Sequence, residues 1–342
     1  MTQQDVETLT KEILETIDRE REREIISRRY GLYDRKETLE QIGELLGITR
    51  ERVRQLEKAT MTRLRLNAEA EEMESLKQFE ATLTEVLEPL GNVARIAKLS
   101  QEICGEGSTK IDQSRISFIV DLCPNLSLIS ENDDFYPSAT ITKVIDDKKA
   151  SEATGKIVAK LKDLGKPSTI DAIAKELSES NVKQTEALAS TSKNLATLNG
   201  QWGLIKWPTV NPKNIRDKIY VILQQNGKHM HFSDIAKAIK DSDFKRKDVT
   251  TQAIHNELIK DKRFVLIGRG IYALKEWGYK KGTVADIITE VLKEAKEPLH
   301  RDEIVKRVLK SRYVKETTIL LNLQGKKQFK RVSKATYALD EA

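Results

Sequence analysis

The chain has 342 residues, 39% of them apolar and 33% charged, with a net charge of +6. That length holds several domains, and the balance is that of helix-rich globular folds rather than of a disordered or fibrous chain. No apolar run approaches the ~18 residues of a membrane span, and the opening MTQQDVETLTKEIL is polar and acidic, so neither a span nor a secretory signal is expected. Two cysteines, Cys104 and Cys123, read as reduced, buried thiols rather than a disulfide. The charge is uneven: residues 212–342 carry 29 Lys+Arg against 17 Asp+Glu, and residues 1–211 carry 30 against 36. The basic half suits contact with a polyanion, or is simply a solvated face.

In chain order, residues 3–17 place Val6, Leu9, Ile13, Leu14 and Ile17 on one helical stripe. A second helix is expected over about Arg19 to Arg29, with Ile25, Ile26, Tyr30 and Leu32 closing a small core. Residues 38–65, TLEQIGELLGITRERVRQLEKATMTRLR, then read as a helix-turn-helix. Leu39, Ile42, Leu45 and Leu46 share a face, Gly47 supplies the left-handed residue that ends the helix, and Thr49 caps the next one. Val53, Leu56, Thr60 and Leu64 continue the apolar face. The opposite stripe carries Arg50, Glu51, Arg54, Gln55 and Lys58. Arginine and glutamine present paired groups to base edges and lysine neutralises phosphate, which is the chemistry of a major-groove helix. The alternative is a solvated basic face on an ordinary helical pair.

These residues resemble region 4 of the sigma-70 family of bacterial sigma factors, over about Val6 to Leu66. REREIISRRYGL (residues 21–32) and TRERVRQLE (residues 49–57) carry the likeness. The resemblance implies a domain over residues 1–66 whose second helix reads the minus-thirty-five promoter element. It implies base contacts from Arg50, Glu51 and Gln55, and phosphate or base contacts from Thr49, Arg52 and Arg54, with Lys58 beside them. It further implies that the surface around Ile25, Ile26, Tyr30 and Leu32 meets a flap of RNA polymerase, unless those residues fill the core. A cytoplasmic, nucleoid-associated bacterial protein follows from the same likeness. No stretch resembles the sigma parts that hold the polymerase clamp and melt the minus-ten element, so an accessory or regulatory role is expected rather than that of a complete sigma factor.

Between Thr49 and Glu88 there is no glycine or proline, and the recognition helix is expected to run on through AEAEEMES, interrupted at most near Asn67. From Leu76 the chain repeats loosely. Each unit offers a helix, a turn, a second helix with an Ile-Ala or Ile-Val pair, a third helix and a hairpin; the pairs are Ile96-Ala97, Ile173-Ala174, Ile235-Ala236 and Ile304-Val305. FVLIGRGIYALKE (residues 264–276) and FKRVSKATYALDE (residues 329–341) align without gaps at a spacing of 65, matching Phe264, Ile267, Tyr272 and Leu274 to Phe329, Val332, Tyr337 and Leu339. That is the winged-helix order, in which a hairpin covers a three-helix core. The expected architecture is mainly α, with winged-helix units at 76–137, 150–208, 213–278 and 283–340, and linkers at Pro137 to Lys149, Trp207 to Pro212 and Tyr279 to Gly282. The last two units resemble the HARE-HTH family, which includes the delta subunit of bacterial RNA polymerase.

For catalysis the inventory is thin, and neither an enzyme nor a cofactor is expected. Of the four histidines, His231 and His300 occupy matching places before a second helix and suit capping; His229 and His231 alone make a poor metal site. Gly268-Arg269-Gly270 belongs to a hairpin turn rather than a phosphate loop. Trp202, Trp207, Tyr272, Trp277 and Tyr337 suit packing under a hairpin better than base stacking, whereas the wing tips Arg269 and Lys334 suit phosphate. In the third helices, Lys245, Arg246 and Lys247 with Thr250, Thr251, Gln252 and His255, and Lys315, Glu316, Thr317 and Thr318, are further candidates. Two functions compete: a DNA-binding transcription protein that recognises promoter-like double-stranded DNA and associates with the RNA polymerase core, or a scaffold that occupies the polymerase without reading DNA.

Overall fold

The computed structural model describes residues 3–70, 73–244 and 248–340. The chain divides after Lys206 into two compact units. In the first, α1 (Gln3–Glu15), α2 (Glu20–Tyr30), α3 (Leu39–Leu46) and α4 (Arg50–Glu69) precede two assemblies of one kind. The first winged assembly is α5 (Glu74–Leu87), β1 (Val93–Arg95), α6 (Ile96–Cys104), α7 (Lys110–Leu122), β2 (Leu126–Ile129) and β3 (Ser138–Ile141). The second is α8 (Asp147–Leu164), β4 (Ser168–Thr169), α9 (Ile170–Glu176), α10 (Val182–Thr191), β5 (Leu195–Leu198) and β6 (Gln201–Leu204).

The other half repeats the order twice. The third assembly runs α11 (Ile215–Asn226), β7 (Met230–His231), α12 (Phe232–Asp241), α13 (Thr251–Lys260), β8 (Phe264–Gly268), β9 (Ile271–Leu274). The fourth runs α14 (Val284–Ala295), β10 (Leu299–His300), α15 (Arg301–Ser311), α16 (Glu316–Gly325), β11 (Phe329–Ser333), β12 (Thr336–Leu339). Each sheet is antiparallel, with the short strand before the second helix pairing to the return strand of the hairpin, as in β1-β3-β2. The mainly α, winged-helix reading of the sequence is therefore the observed fold, but the two- or three-residue strand between the first two helices escaped the pattern because so short a run has no periodicity to detect.

Local chemistry explains most boundaries. Thr38 and Gln41 form a reciprocal capping box on α3, Thr109 and Asp112 do so on α7, and Thr283 and Asp286 on α14. The wings of the third and fourth assemblies share one register: Phe264 pairs with Leu274 and Phe329 with Leu339, each hairpin is irregular two residues later, and the left-handed turn residue is Gly270 in one and Ala335 in the other. His231 and His300 cap α12 and α15 by accepting from the backbone N–H two residues on. Trp202, Tyr272 and Tyr337 are buried beneath their wings and Trp207 and Trp277 are half-buried.

Several expectations are corrected. The recognition helix does not run unbroken into the next domain: α4 ends at Glu69, two residues past the interruption expected near Asn67, and α5 starts at Glu74. The acidic run explains this, because carboxylates oppose the negative end of one helix and favour the positive start of the next. Leu45 is 55% exposed, since it lies on the flank of α3, whereas Gly43 is buried where a Cβ would stand 2.7 Å from the Ile48 carbonyl oxygen. The return strand β3 lies inside the expected linker 137–149, and α8 begins there too, because the loop of the first wing is long and is folded by Asn132, whose side chain accepts from the Asp134 and Phe135 N–H groups. Ile267 is fully buried but its counterpart Val332 is 56% exposed. The third wing is covered by the segment before α16, where Tyr313 N–H donates to the Ile267 carbonyl at 3.2 Å.

The largest correction concerns the cores. Ile25 joins Ile42 and Val53 in a small cluster behind the helix-turn-helix. Its neighbour Ile26 points the other way, into a continuous core that runs from Val6, Leu9 and Ile13 through Leu32 and Leu64 to Phe118, Ile119 and Ile141. Helix α1 packs on α7 of the first winged assembly. Tyr30 seals the seam, its ring edge-on to Phe118 at 5.0 Å and its hydroxyl donating to Asp121 at 2.8 Å. The expected polymerase-facing surface at Ile26, Tyr30 and Leu32 is therefore covered by the same chain.

Candidate nucleic-acid interface

Helix α4 is held by its rear face and free on its front. Val53, Thr60, Met61, Leu64 and Ala68 are buried. Met61 and Ala68, which the sequence stripe did not include, join Leu64 in the larger core shared with the first winged assembly. Beneath the helix, Glu22 is buried and accepts from Arg19 at 3.1 Å, Arg63 at 2.9 Å and Thr60 at 3.4 Å. Burial pushes its carboxyl up, but Arg63 and then Arg19 outweigh that and hold it below the usual value. The start of α4 is set by Thr49, whose hydroxyl accepts from the Arg52 N–H at 3.2 Å.

The seven residues singled out on this helix, Thr49, Arg50, Glu51, Arg52, Arg54, Gln55 and Lys58, are all exposed and stand within its first three turns. They form a network before any ligand arrives. Arg54 donates through two nitrogens to Glu51 at 2.7 and 2.9 Å, Gln55 donates to Glu51 at 3.4 Å, and Arg52 donates to Gln55 at 3.4 Å. Arg54 holds the Glu51 carboxyl below its usual range. Arg50 reaches back to Glu40 of α3 at 2.7 Å, while Lys58 has no carboxylate partner among the described residues. The face therefore offers a fixed carboxylate, a glutamine and four cations in one patch. Such exposed pairs are worth little and exchange readily for phosphate or base contacts.

The remaining candidates lie in the other half. Arg269 and Lys334 sit at the tips of the third and fourth wings, both exposed, as the repeat required. Thr250 is spent on capping α13, where it accepts from the Ala253 N–H. Thr251 and Gln252 are exposed, but His255 is half-buried between Phe232 and Tyr272, a correction to its place among the nucleic-acid candidates. Lys245, Arg246 and Lys247 lie outside the described residues. Lys315, Glu316, Thr317 and Thr318 are exposed at the start of α16. Sequence reading missed Lys326 and Lys327, between α16 and the fourth wing, and Lys330 and Arg331 on β11; all four are exposed and pair with no carboxylate among the described residues. The signal was available, as two basic doublets beside Lys334.

The third helices of the first two winged assemblies differ from α13 and α16. Helix α7 is packed by α1, α2, α4, α6 and β2, and eight of its thirteen residues are buried. Helix α10 packs against β1 of the preceding assembly. Neither has a free face of the kind α4 presents.

Residues 19–66 match the family described as Sigma-70, region 4. Helix α1 lies outside the match, in keeping with its place in the other core, so the likeness begins later than Val6. The chain is 56% identical over 46 residues to the RNA polymerase principal sigma factor HrdC of Streptomyces coelicolor, covering 13% of this chain and 14% of that protein. It is 52% identical over 46 residues to the RNA polymerase sigma factor SigA1 of Synechococcus elongatus, covering 13% of this chain and 12% of the relative. With the RNA polymerase sigma factor SigA of Microcystis aeruginosa it shares 46% identity over 54 residues, 16% of this chain and 13% of the other. The chain thus spans about an eighth of the length of the sigma factors it matches, and the family match at residues 19–66 takes in the helix-turn-helix with the α4 face.

Proposed function

We propose that this chain is a DNA-binding transcription protein that recognises promoter-like double-stranded DNA through α4 and associates with RNA polymerase, in initiation or its regulation. The observation that carries the reading is the coincidence of the region 4 match with the exposed front of α4, where Arg50, Glu51, Gln55 and Lys58 stand over a buried rear face. Arg50, Glu51 and Gln55 address bases; Thr49, Arg52 and Arg54 address phosphates or bases, and Lys58 phosphate. Its role is to bind and position, not to catalyse. The wing tips Arg269 and Lys334, with the basic doublets beside Lys334, give the C-terminal half a sequence-independent grip on phosphate, in line with the likeness of residues 213–340 to HARE-HTH units. The buried α7 and the packed α10 favour a bracing role for the first two winged assemblies.

Association with promoter DNA measured from about 50 to about 200 mM salt should fall by about a thousandfold or more if six or so phosphates are engaged. Arg50→Ala or Gln55→Ala should cost about 1–3 kcal/mol on a preferred site and relax base choice, whereas Arg269→Ala should weaken all sequences alike. A footprint that keeps its sequence preference in the double variant would move the reading site elsewhere. Polymerase capture without salt-sensitive DNA binding would favour the scaffold that occupies polymerase without reading DNA.

A further inference from the structure

The first and second winged assemblies enclose an open-mouthed cavity of about 570 Å³, within the range of small-molecule sites. Leu90 and Val93 of one assembly and Leu195 and Trp202 of the other form apolar walls. Three basic residues, Arg95, Lys98 and Lys183, line it beside one acidic residue, Glu186, among the described residues. The seam is close-packed beside the cavity, since a Cβ on Gly91 would stand 2.8 Å from the Lys183 carbonyl oxygen.

Arg95 is the unusual member. It is half-buried, its Nε donates to the Ser190 carbonyl, and its guanidinium lies over the Tyr136 ring at 4.0 Å. No carboxylate pairs with it among the described residues, although burial alone lowers its pKa. Lys98 pairs with Glu102 at 2.5 Å, and Lys183 is exposed with no ion-pair partner among the described residues. A half-buried cation without a counter-ion is costly, and a guanidinium fork with free nitrogens matches a carboxylate in geometry as well as charge.

We propose that this cavity binds a small amphipathic carboxylate, with its apolar body against Leu90, Val93, Leu195 and Trp202 and its carboxylate on Arg95 and Lys183. Because the walls come from both assemblies, the ligand clamps the seam between them. The site is independent of the reading of α4 as a DNA-binding helix.

The test is calorimetric titration of the full chain with 2-naphthoate, beside the neutral isostere 2-naphthylmethanol, with the Trp202 indole N–H followed by NMR. Saturable binding of the carboxylate, a shift at Trp202, and binding of the alcohol weaker by about tenfold or more are expected. Lys183→Glu should weaken the carboxylate several-fold and leave the alcohol unchanged. Ala196→Trp, which fills the cavity while keeping Arg95, should abolish both, with the melting temperature showing whether the variant is folded; if it is not, the Lys183→Glu and alcohol comparisons decide. Absence of saturable carboxylate binding, or equal binding of acid and alcohol, would overturn the proposal.

Discussion

Glu22 illustrates how one side chain links the candidate interface to stability. Its carboxylate is buried under α4 and satisfied by Arg63, Arg19 and Thr60. Its pKa is depressed in the folded state, so its contribution is complete above the ordinary glutamate value of 4.5 and is lost as pH falls through the lower folded value. Glu22→Gln should cost about 1–3 kcal/mol at neutral pH, because Arg63 and Thr60 lose an ionised acceptor, and the acid limb of the stability curve should flatten. Denaturant midpoints measured between about pH 3 and pH 7 check both parts, and an unchanged acid limb would assign the pH dependence to other groups. The exposed residues of α4 were legible in the sequence because bases and phosphates demand particular side chains at helical spacing. Asp121, which receives both Tyr30 at 2.8 Å and Arg65 at 2.7 Å, was not legible. Nothing in the stretch around Asp121 marks a carboxylate whose partners lie 91 and 56 positions away.

Among elements, α1 and α4 make separable predictions. Helix α1 buries Val6, Leu9, Ile13 and Leu14 against the first winged assembly, and it is further tied by Arg115, which donates to Glu7 at 3.1 Å. Removing residues 1–18 should therefore loosen α7, read as faster amide exchange there, while amides near Ile25, Ile42 and Val53 keep their protection. The opposite result would return α1 to the helix-turn-helix core. At the other end, α4 has no basic residue in its last turn and finishes on Glu69. Glu69→Lys should stabilise the unit by about 0.3–1 kcal/mol by matching the helix dipole, observable as a higher denaturant midpoint. Helices, caps and wings were largely readable from the chain, down to the shared register of two hairpins 65 residues apart, because periodicity and capping are properties of a few neighbouring residues. The end of α4 was placed only loosely, near Asn67 rather than after Glu69, because no helix breaker is present there, only like charges.

For the whole molecule, the continuous core from Val6 to Ile141 makes the helix-turn-helix and the first winged assembly one folding unit, and Val93 and Ile129 extend the packing into the second. Residues 3–70 alone would expose Val6, Ile26, Leu32 and Leu64 to water, so this fragment should aggregate or unfold, while residues 3–206 should melt in a single transition. A well-folded, monomeric 3–70 fragment in gel filtration and circular dichroism would contradict the shared core. By itself the sequence determined the helical stripes, the caps, the winged order of the repeats and the chemistry displayed on α4, since each is written in residues close together along the chain. Only the tertiary structure decided that adjacent Ile25 and Ile26 serve different cores, that α7 is an interior helix, and that Arg95 faces a cavity across a seam. An apolar or charged residue carries the same chemistry whether its own assembly or a neighbouring one buries it, so the partner is fixed only when distant segments meet.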